Sequence, residues 1–332
     1  MPPQSQTIAA TEAAGDSARP SVFTARTDCP ACGGVITRCL YECPYDQPPI
    51  ADYVRDYYEA IGIVEMERLC GAEYRLLQCE RCGLVYQQQV PDDALLERLY
   101  EHWIDPELAR SRDRQRHDLG AYSMHAQEIL QLLATLGRSP REVRVLDFGM
   151  GWGDWASMAR SLGCETFGVE ISRSRIEHAG KLGIPIVDPG RLADMRFDLI
   201  NAEQVFEHLP EPLEIMRTLA AALRPGGLLK VCVPNGGSIL RRLRRPDWSA
   251  PRDTRRSLHA VQPLEHLNCF DHGALVAMGR RAGLRVAMIP MATQYACSTD
   301  WRRPGRILRN TLYPIYRNVF RRGTWIVFRA EP

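Results

Sequence analysis

Between residues 143 and 233 the apolar positions follow two alternating rhythms. Short runs rich in valine, leucine, isoleucine and phenylalanine at 143–148, 166–169, 184–187, 197–201 and 228–233 have the length of strands buried on both faces. The segments between them, 155–162, 176–182 and 213–223, space apolar residues three and four apart, as a helix with one buried stripe requires. Strands separated by such helices imply parallel βαβ units, so the expected fold class is α/β, a doubly wound, mostly parallel sheet with helices on both faces. Runs at 284–289 and 324–328 predict two last strands closing one edge.

Upstream the pattern changes. Leu95, Leu96, Leu99 and Tyr100, then Ile129, Leu130, Leu132, Leu133 and Leu136, predict a helical connector that Gly137 and Pro140 end. Over 28–86, cysteine, proline and glycine punctuate the chain, which predicts a small module held by something other than a large core. The first residues are mostly small and polar and predict a flexible tail. The expected organisation is therefore a tail over 1–26, a module over 27–91, a connector over 92–139 and an α/β domain over 140–332.

A composition of 45% hydrophobic and 25% charged residues is that of a globular protein and excludes wholesale disorder. The net charge of +2 conceals two arginine clusters: Arg241, Arg242, Arg244, Arg245, Arg252, Arg255 and Arg256, then Arg302, Arg303, Arg306, Arg309, Arg317, Arg321 and Arg322. Such clusters hold phosphate or carboxylate groups, lie on an acidic membrane surface, or form a solvated face. The N-terminus lacks a basic-then-apolar signal pattern, and no apolar run approaches the ~18 residues of a transmembrane segment, so a cytoplasmic location is expected. In that reducing compartment the eleven cysteines read as metal ligands or buried thiols rather than disulfides.

Four of them have the right spacing for a metal. Cys29 and Cys32, and Cys79 and Cys82, form two C-x-x-C turns, each followed by glycine, as tetrahedral thiolate coordination asks of a chain that reverses direction. Four sulfurs fill a structural zinc site and leave no position for substrate. Cys39, Cys43 and Cys70 are alternative ligands, read here as ordinary thiols.

The most specific stretch is 145–154, where an apolar strand ends in Asp147 and Gly149, Gly151 and Gly153 open a helix. Glycines in such a turn allow unusual backbone angles and close approach of a ligand at the carboxyl end of a strand. A dinucleotide site asks for G-x-G-x-x-G, whereas Asp154 stands at the third glycine position. An acid next to the turn also repels a pyrophosphate and suits a cationic amino acid group. Glu170, ending the next strand, is placed to accept ribose hydroxyls.

With these motifs, the segment 197–209 and the turn Arg224-Pro225-Gly226-Gly227, the chain from about Val143 onward resembles the Rossmann-like class I S-adenosylmethionine-dependent methyltransferases. The resemblance implies S-adenosylmethionine as cofactor, with Asp147, Gly149, Gly151 and Gly153 around its methionine part, Glu170 at the ribose, and Ile171 at the adenine face. It also implies Asp188 near the adenine amine and Glu203 near the point where the fourth strand meets the cofactor.

Methyl transfer from a sulfonium needs in-line positioning, plus a base when the acceptor is a hydroxyl or C–H. His208, after Glu207, and His266, after Glu265, are the candidate bases; the alternative is that both histidines cap loops or bond the backbone. The front module and the E-H-L loop together resemble the C-methyltransferases of deoxysugar biosynthesis, in which a corresponding histidine is proposed as base. Those enzymes carry a further C-terminal domain that is not expected here after the last strand at Phe328, so the resemblance leaves the acceptor open. The arginine-rich loop 241–256 predicts a lid gripping a small anionic acceptor such as a sugar or glycan intermediate, for C- or O-methylation. The rivals are an RNA methyltransferase and a non-catalytic zinc-containing binding protein; without an aromatic stacking platform, nucleic acid is not the expected partner.

Overall fold

The computed structural model describes residues 22–105, 108, 119–252, 254–299, 301, 304–320 and 322–331. Most of the expected tail, together with Arg302, Arg303 and Arg321, lies outside the described residues.

The described chain opens with β1 (Phe23–Ala25), β2 (Thr37–Pro44), α1 (Ile50–Glu59), β3 (Glu73–Cys79), β4 (Val85–Gln87) and β5 (Gln89–Pro91). Residues 22–26 are thus not part of a tail, because β1 pairs antiparallel with β5 and Arg26 is buried. Among the described residues the connector shows α2 (Asp93–Arg98), capped by the Asp92 carboxylate at Leu95 N–H, a wider turn over Leu99–Trp103, and α3 (Leu119–Leu136).

The module departs from the expectation of a weak core. α1 buries Ile50, Val54 and Tyr58 along one stripe, and these pack with Tyr45, Leu69, Tyr74, Leu76 and Trp103. Chain from far downstream completes the cluster: Ile239, Leu243, Trp248, Leu258, Val261 and Leu264 belong to the same core. Trp248 lies 5.3 to 5.5 Å from the rings of Tyr41, Tyr53 and Tyr74, in tilted or edge-on contacts favoured by aromatic quadrupoles. Truncating a residue so placed costs about 3–5 kcal/mol. Local composition shows only the module's own half of this core.

In the α/β part, β6 (Arg144–Phe148), α4 (Asp154–Ser161), β7 (Glu165–Val169), α5 (Arg173–Leu182), β8 (Phe197–Glu203), α6 (Pro212–Ala221) and β9 (Leu223–Cys232) alternate as expected. There follow α7 (Ile239–Arg242), β10 (Asn268–Cys269), α8 (His272–Arg281), β11 (Leu284–Val286), α9 (Met291–Ala296), α10 (Pro304–Asn318) and β12 (Trp325–Ala330). The central sheet runs β11-β12-β9-β8-β6-β7; β7, β6, β8 and β9 are parallel, and β12 is antiparallel to both β9 and β11. Val145, Leu199, Leu228 and Val327 face α3 and α4, while Leu146, Ile200, Leu229 and Phe328 face α6 and α8. The strand expected at 184–187 is reduced to one bridge, Ile186 to Gly168. Pro185 has no N–H to give, and Pro189 follows closely, so the segment is too short to propagate a ladder.

A second sheet links the two parts. Its order is β10-β4-β3-β2, so two residues from the far C-terminal loop extend the module's sheet, with Asn268 opposite Tyr86 and Cys269 opposite Val85.

Candidate active site

Two turns of the same construction hold the four sulfurs. Cys29 N–H donates to Gly34 O and Cys79 N–H to Leu84 O, both at 2.9 Å. Gly33 and Gly83 adopt φ of +64° and +81°, a region that strains any residue with a Cβ. A Cβ at Gly34 would stand 3.1 Å from Cys79 Sγ and 3.2 Å from Cys32 Sγ, so the backbone comes up against the cluster there. The four Sγ atoms lie within 4.8 Å of one another, with Cys29 to Cys82 and Cys32 to Cys79 both at 3.6 Å. A tetrahedral zinc with Zn–S of ~2.3 Å sets its sulfurs roughly 3.8 Å apart, so the site fits the ion with shifts of tenths of an ångström. Cys39 and Cys70 are exposed and Cys43 is buried, and none of them joins the cluster.

The glycine turn sits at the carboxyl end of β6. Gly149, Gly151 and Gly153 have φ of +69°, +57° and +82°. A Cβ at Gly149 would collide with Val205, and one at Gly153 with Met150, whereas one at Gly151 would meet nothing within 4 Å. Gly151 therefore borders open space. Both Glu170 oxygens are engaged, Oε2 by Gly151 N–H at 2.9 Å and Oε1 by Ile171 and Ser172 N–H at 2.8 and 3.0 Å. The acid expected at the ribose thus also ties the glycine turn to the end of β7. Ile171 is 76% exposed, an apolar side chain left uncovered where an adenine face is expected. Asp188 is exposed and accepts Gly190 N–H at 2.8 Å, capping a short turn.

Behind the turn runs a polar row that the sequence pattern did not disclose. Asp147, Asn201 and Lys230 stand in register on β6, β8 and β9, and all three are buried. Asn201 Nδ2 donates to Asp147 Oδ1 at 2.7 Å, and burial pushes the Asp147 carboxyl up to about 7 despite that bond. Lys230 Nζ pairs with Glu203 at 2.8 Å and Glu128 at 3.2 Å, and Glu128 also accepts the indole N–H groups of Trp155 and Trp325. Burial alone would lower the Lys230 ammonium; the two carboxylates outweigh it and keep the lysine charged. Glu203 is therefore committed to Lys230.

The two candidate bases come together. His208 and His266 have ring centroids 5.0 Å apart, and His259 lies 4.5 Å from His266. His208 Nδ1 is 2.9 Å from the Glu265 carbonyl oxygen. A carbonyl only accepts, so Nδ1 carries the proton and Nε2 presents a lone pair. Burial lowers the His208 imidazole to about 4 and holds His266 well below its usual value, so both are neutral near pH 7. The Glu265 carboxylate is engaged away from His266. That group accepts from Tyr58 OH at 3.0 Å and from Gln262, and its pKa is raised to about 7 by burial. Glu207 is 1% exposed, neither carboxylate oxygen has a hydrogen-bond partner among the described residues, and burial raises it to about 8. Ligand atoms of Glu207, His208 and His266 lie within 4.8 Å of one another. The only non-glycine residues with positive φ among those described, Gln204 and Leu264, adjoin Glu203 and Glu265, and surrounding packing must hold this backbone strain in place.

Several residues of this pocket escaped the sequence reading. Tyr58 reaches Glu265 from α1, and the charges of Glu265 and Glu207 act on Tyr100 of the connector. The visible signal was the run Tyr53, Tyr57 and Tyr58 at helical spacing. Arg26 is the other omission: its guanidinium donates to Gln87, Leu267, Leu209 and Pro210 carbonyls and to Asn268 Oδ1. Asn268 Nδ2 in turn donates to Phe206 O at 3.0 Å and Leu209 O at 2.7 Å. The pair binds the module to both loops that carry the histidines.

A glycine turn at the carboxyl end of a parallel strand, a buried acid under it and a second acid ending the next strand define a site of the S-adenosylmethionine-dependent methyltransferase class. The chain belongs to the methyltransferase-domain family, whose profile matches residues 113–288, and it is an S-adenosylmethionine-dependent methyltransferase. It is similar to a ubiquinone biosynthesis O-methyltransferase of Bordetella avium, 24% identical over 202 residues that cover 56% of this chain and 76% of the relative. It is also similar to the C-methyltransferase NovU of Streptomyces niveus, 25% identical over 225 residues, 64% of this chain and 47% of the relative. In a further ubiquinone biosynthesis O-methyltransferase, from a Caulobacter species, the matched stretch spans 44% of the relative's length at 33% identity. Among solved structures, a putative sarcosine dimethylglycine methyltransferase from Galdieria sulphuraria aligns at 18% identity and TM-score 0.40, covering 64% of this chain and 86% of that one. No described helix is long and apolar enough to cross a membrane.

Proposed function

We propose that the enzyme methylates an oxygen or carbon of a small anionic acceptor, such as a sugar or glycan intermediate, with His208 as the base. The observation that carries this reading is the 2.9 Å contact of His208 Nδ1 with the Glu265 carbonyl, which leaves the lone pair on Nε2, 3.9 Å from Glu207 Oε1 and beside His266. S-adenosylmethionine supplies an activated methyl group. Asp147, the glycine turn, Glu170 and Ile171 would hold it, and the open space beside Gly151 fits that assignment. The acceptor would lie between this edge and the tyrosines of α1. The relatives' names pair O- and C-methylation, and either needs a proton removed. Cys29, Cys32, Cys79 and Cys82 would hold a structural zinc that keeps the module's wall of the pocket in place.

His208→Ala is expected to lower kcat by about 10²–10⁴-fold, the usual contribution of a positioned base, with cofactor affinity unchanged. Label transfer from methyl-labelled S-adenosylmethionine in single turnovers, beside calorimetric cofactor binding, measures both. Unchanged kcat would remove His208 from the mechanism. A second reading rests on Glu207, whose two unpartnered oxygens join His208 and His266 in a donor set suited to a divalent cation. Activity lost on mild chelation and restored by manganese or ferrous iron, at constant zinc content, would favour it.

Anionic acceptors have a specific point of contact. The charge of Arg252 acts on Glu265, His266 and Tyr53, while Trp248 and Leu258 anchor its loop on the module core. Arg252→Gln is expected to raise KM for a phosphate-bearing acceptor roughly tenfold while leaving kcat nearly intact. A panel of nucleotide sugars, sugar phosphates and their uncharged analogues tests this; turnover of the uncharged members alone would overturn the anionic reading.

A further inference from the structure

We propose that α10 and the start of α3 form a docking surface for an anionic lipid bilayer. Helix α10 is fastened on one side only. Asn310 and Pro314 are buried, Asn310 Nδ2 donates to Thr299 O at 2.7 Å, and Arg317 lies 3.5 Å over the Trp325 ring. Its outer side carries large apolar groups in the open. Leu308 and Leu312, one turn apart, are 61% and 50% exposed, Ile307 is exposed beside them, and Val319 and Phe320 continue the surface at 63% and 61%. The patch extends onto α3, where Leu119 is 80% exposed and Tyr122 is also open to solvent. Arg306 donates to Gly120 O at 3.0 Å, joining the two helices at this point.

The charge of the segment selects the occupant. Between Trp301 and Arg322 the sequence has seven arginines and no aspartate or glutamate. A merely solvated basic face does not expose five large apolar side chains with its arginines. A second copy of the chain would set like charges against each other across the same contact. Nucleic acid satisfies arginine but leaves leucine and isoleucine uncovered. An interfacial helix with apolar groups on one face and the exposed Arg309 and Arg322 beside them matches a leaflet of acidic headgroups over acyl chains, which satisfies both at once. The surface is separate from the zinc module and from the histidine pocket, so it stands whatever the acceptor is. Arg309 Nη1 donates to Met124 Sδ of α3 at 3.0 Å, a second tie between the two helices.

Flotation of the full chain with vesicles tests the proposal. Binding is expected to equimolar phosphatidylcholine and phosphatidylglycerol and not to phosphatidylcholine alone, and to weaken as salt is raised. The variant Ile307→Ser, Leu308→Ser, Leu312→Ser is expected to bind at least about tenfold more weakly, because exposed apolar area supplies the insertion. Arg309→Gln with Arg322→Gln is expected to weaken binding by about the same factor at low salt. Both variants should keep the zinc content and thermal unfolding of the parent, which separates lost docking from lost fold. Failure of the parent to float with the acidic vesicles at low salt would overturn the proposal. So would equal flotation of the serine variant, or a stable dimer in solution that the serine variant converts to monomer.

Discussion

Cys79→Ser is expected to abolish both zinc binding and methyl transfer. Apparent binding energies of structural zinc run to about 10–16 kcal/mol, as large as the ~5–15 kcal/mol that separates a folded domain from its unfolded chain. Removing one of four thiolates therefore threatens the whole module. The consequence travels by a defined route. Cys79 ends β3, which pairs with β4, and β4 pairs with β10, directly after the loop that carries Glu265 and His266. Loss of the knuckle frees that loop and the tyrosine wall together. Metal analysis, near-ultraviolet circular dichroism and label transfer should fall in parallel, with Cys39→Ser, an exposed thiol outside the cluster, as the control that keeps all three. Full activity in a zinc-free Cys79→Ser protein would separate the module from catalysis.

Affinity for S-adenosylmethionine is expected to fall as pH drops below about 7, and Asp147→Asn is expected to remove that dependence. Burial raises the Asp147 carboxyl to about 7 in the free protein, so it is ionised above that pH and neutral below it. A cationic ligand prefers the ionised form, so binding draws the pKa down. The sign follows: affinity is level above about pH 7 and weakens up to tenfold for each unit below it, until the pKa of the complex is reached. Asp147→Asn keeps the shape but not the charge, and should bind more weakly, by about tenfold or more at pH 8, with a flat profile. Calorimetric titration across pH 5.5 to 8.5, spanning roughly the carboxyl's shifted range, distinguishes the two. An unaltered slope in the variant would assign the dependence to another group, Glu265 being the nearest in pKa.

The polar row explains why a carboxyl can be kept in so buried a place. Lys230 stands two strands away and draws the Asp147 carboxyl down, while Glu203 acts the other way. Breaking such a buried pair from one side leaves an uncompensated charge, at about 3–5 kcal/mol. Glu203, expected near the point where the fourth strand meets the cofactor, is engaged there by its ion pair with Lys230.

How far the sequence could be read depended on the range of the interactions. The glycine turn, the acid before it and the acid ending the next strand are local in the chain, each with a backbone reason, and Gly149, Gly151 and Gly153 do adopt positive φ. The two C-x-x-C turns likewise carry their own geometry, and the four sulfurs meet. The alternation of strand and helix came through because burial on two faces writes itself into composition. Its one failure, at 184–187, comes from Pro185 and from shortness, neither of which an apolar run reveals.

Long-range contacts set the rest. Nothing near Glu265 in the chain shows that its carboxylate turns to Tyr58, 207 residues away, or that its carbonyl fixes the tautomer of His208. Arg26 lay in a stretch that resembled a tail because its partners at Leu209, Leu267 and Asn268 are distant in sequence. The sequence by itself determined the chemistry available: a sulfonium cofactor's turn, four thiolates and two histidines. The tertiary structure alone decided which of these groups face one another, because hydrogen bonds and packing between remote segments depend on the folded path and leave no period along the chain.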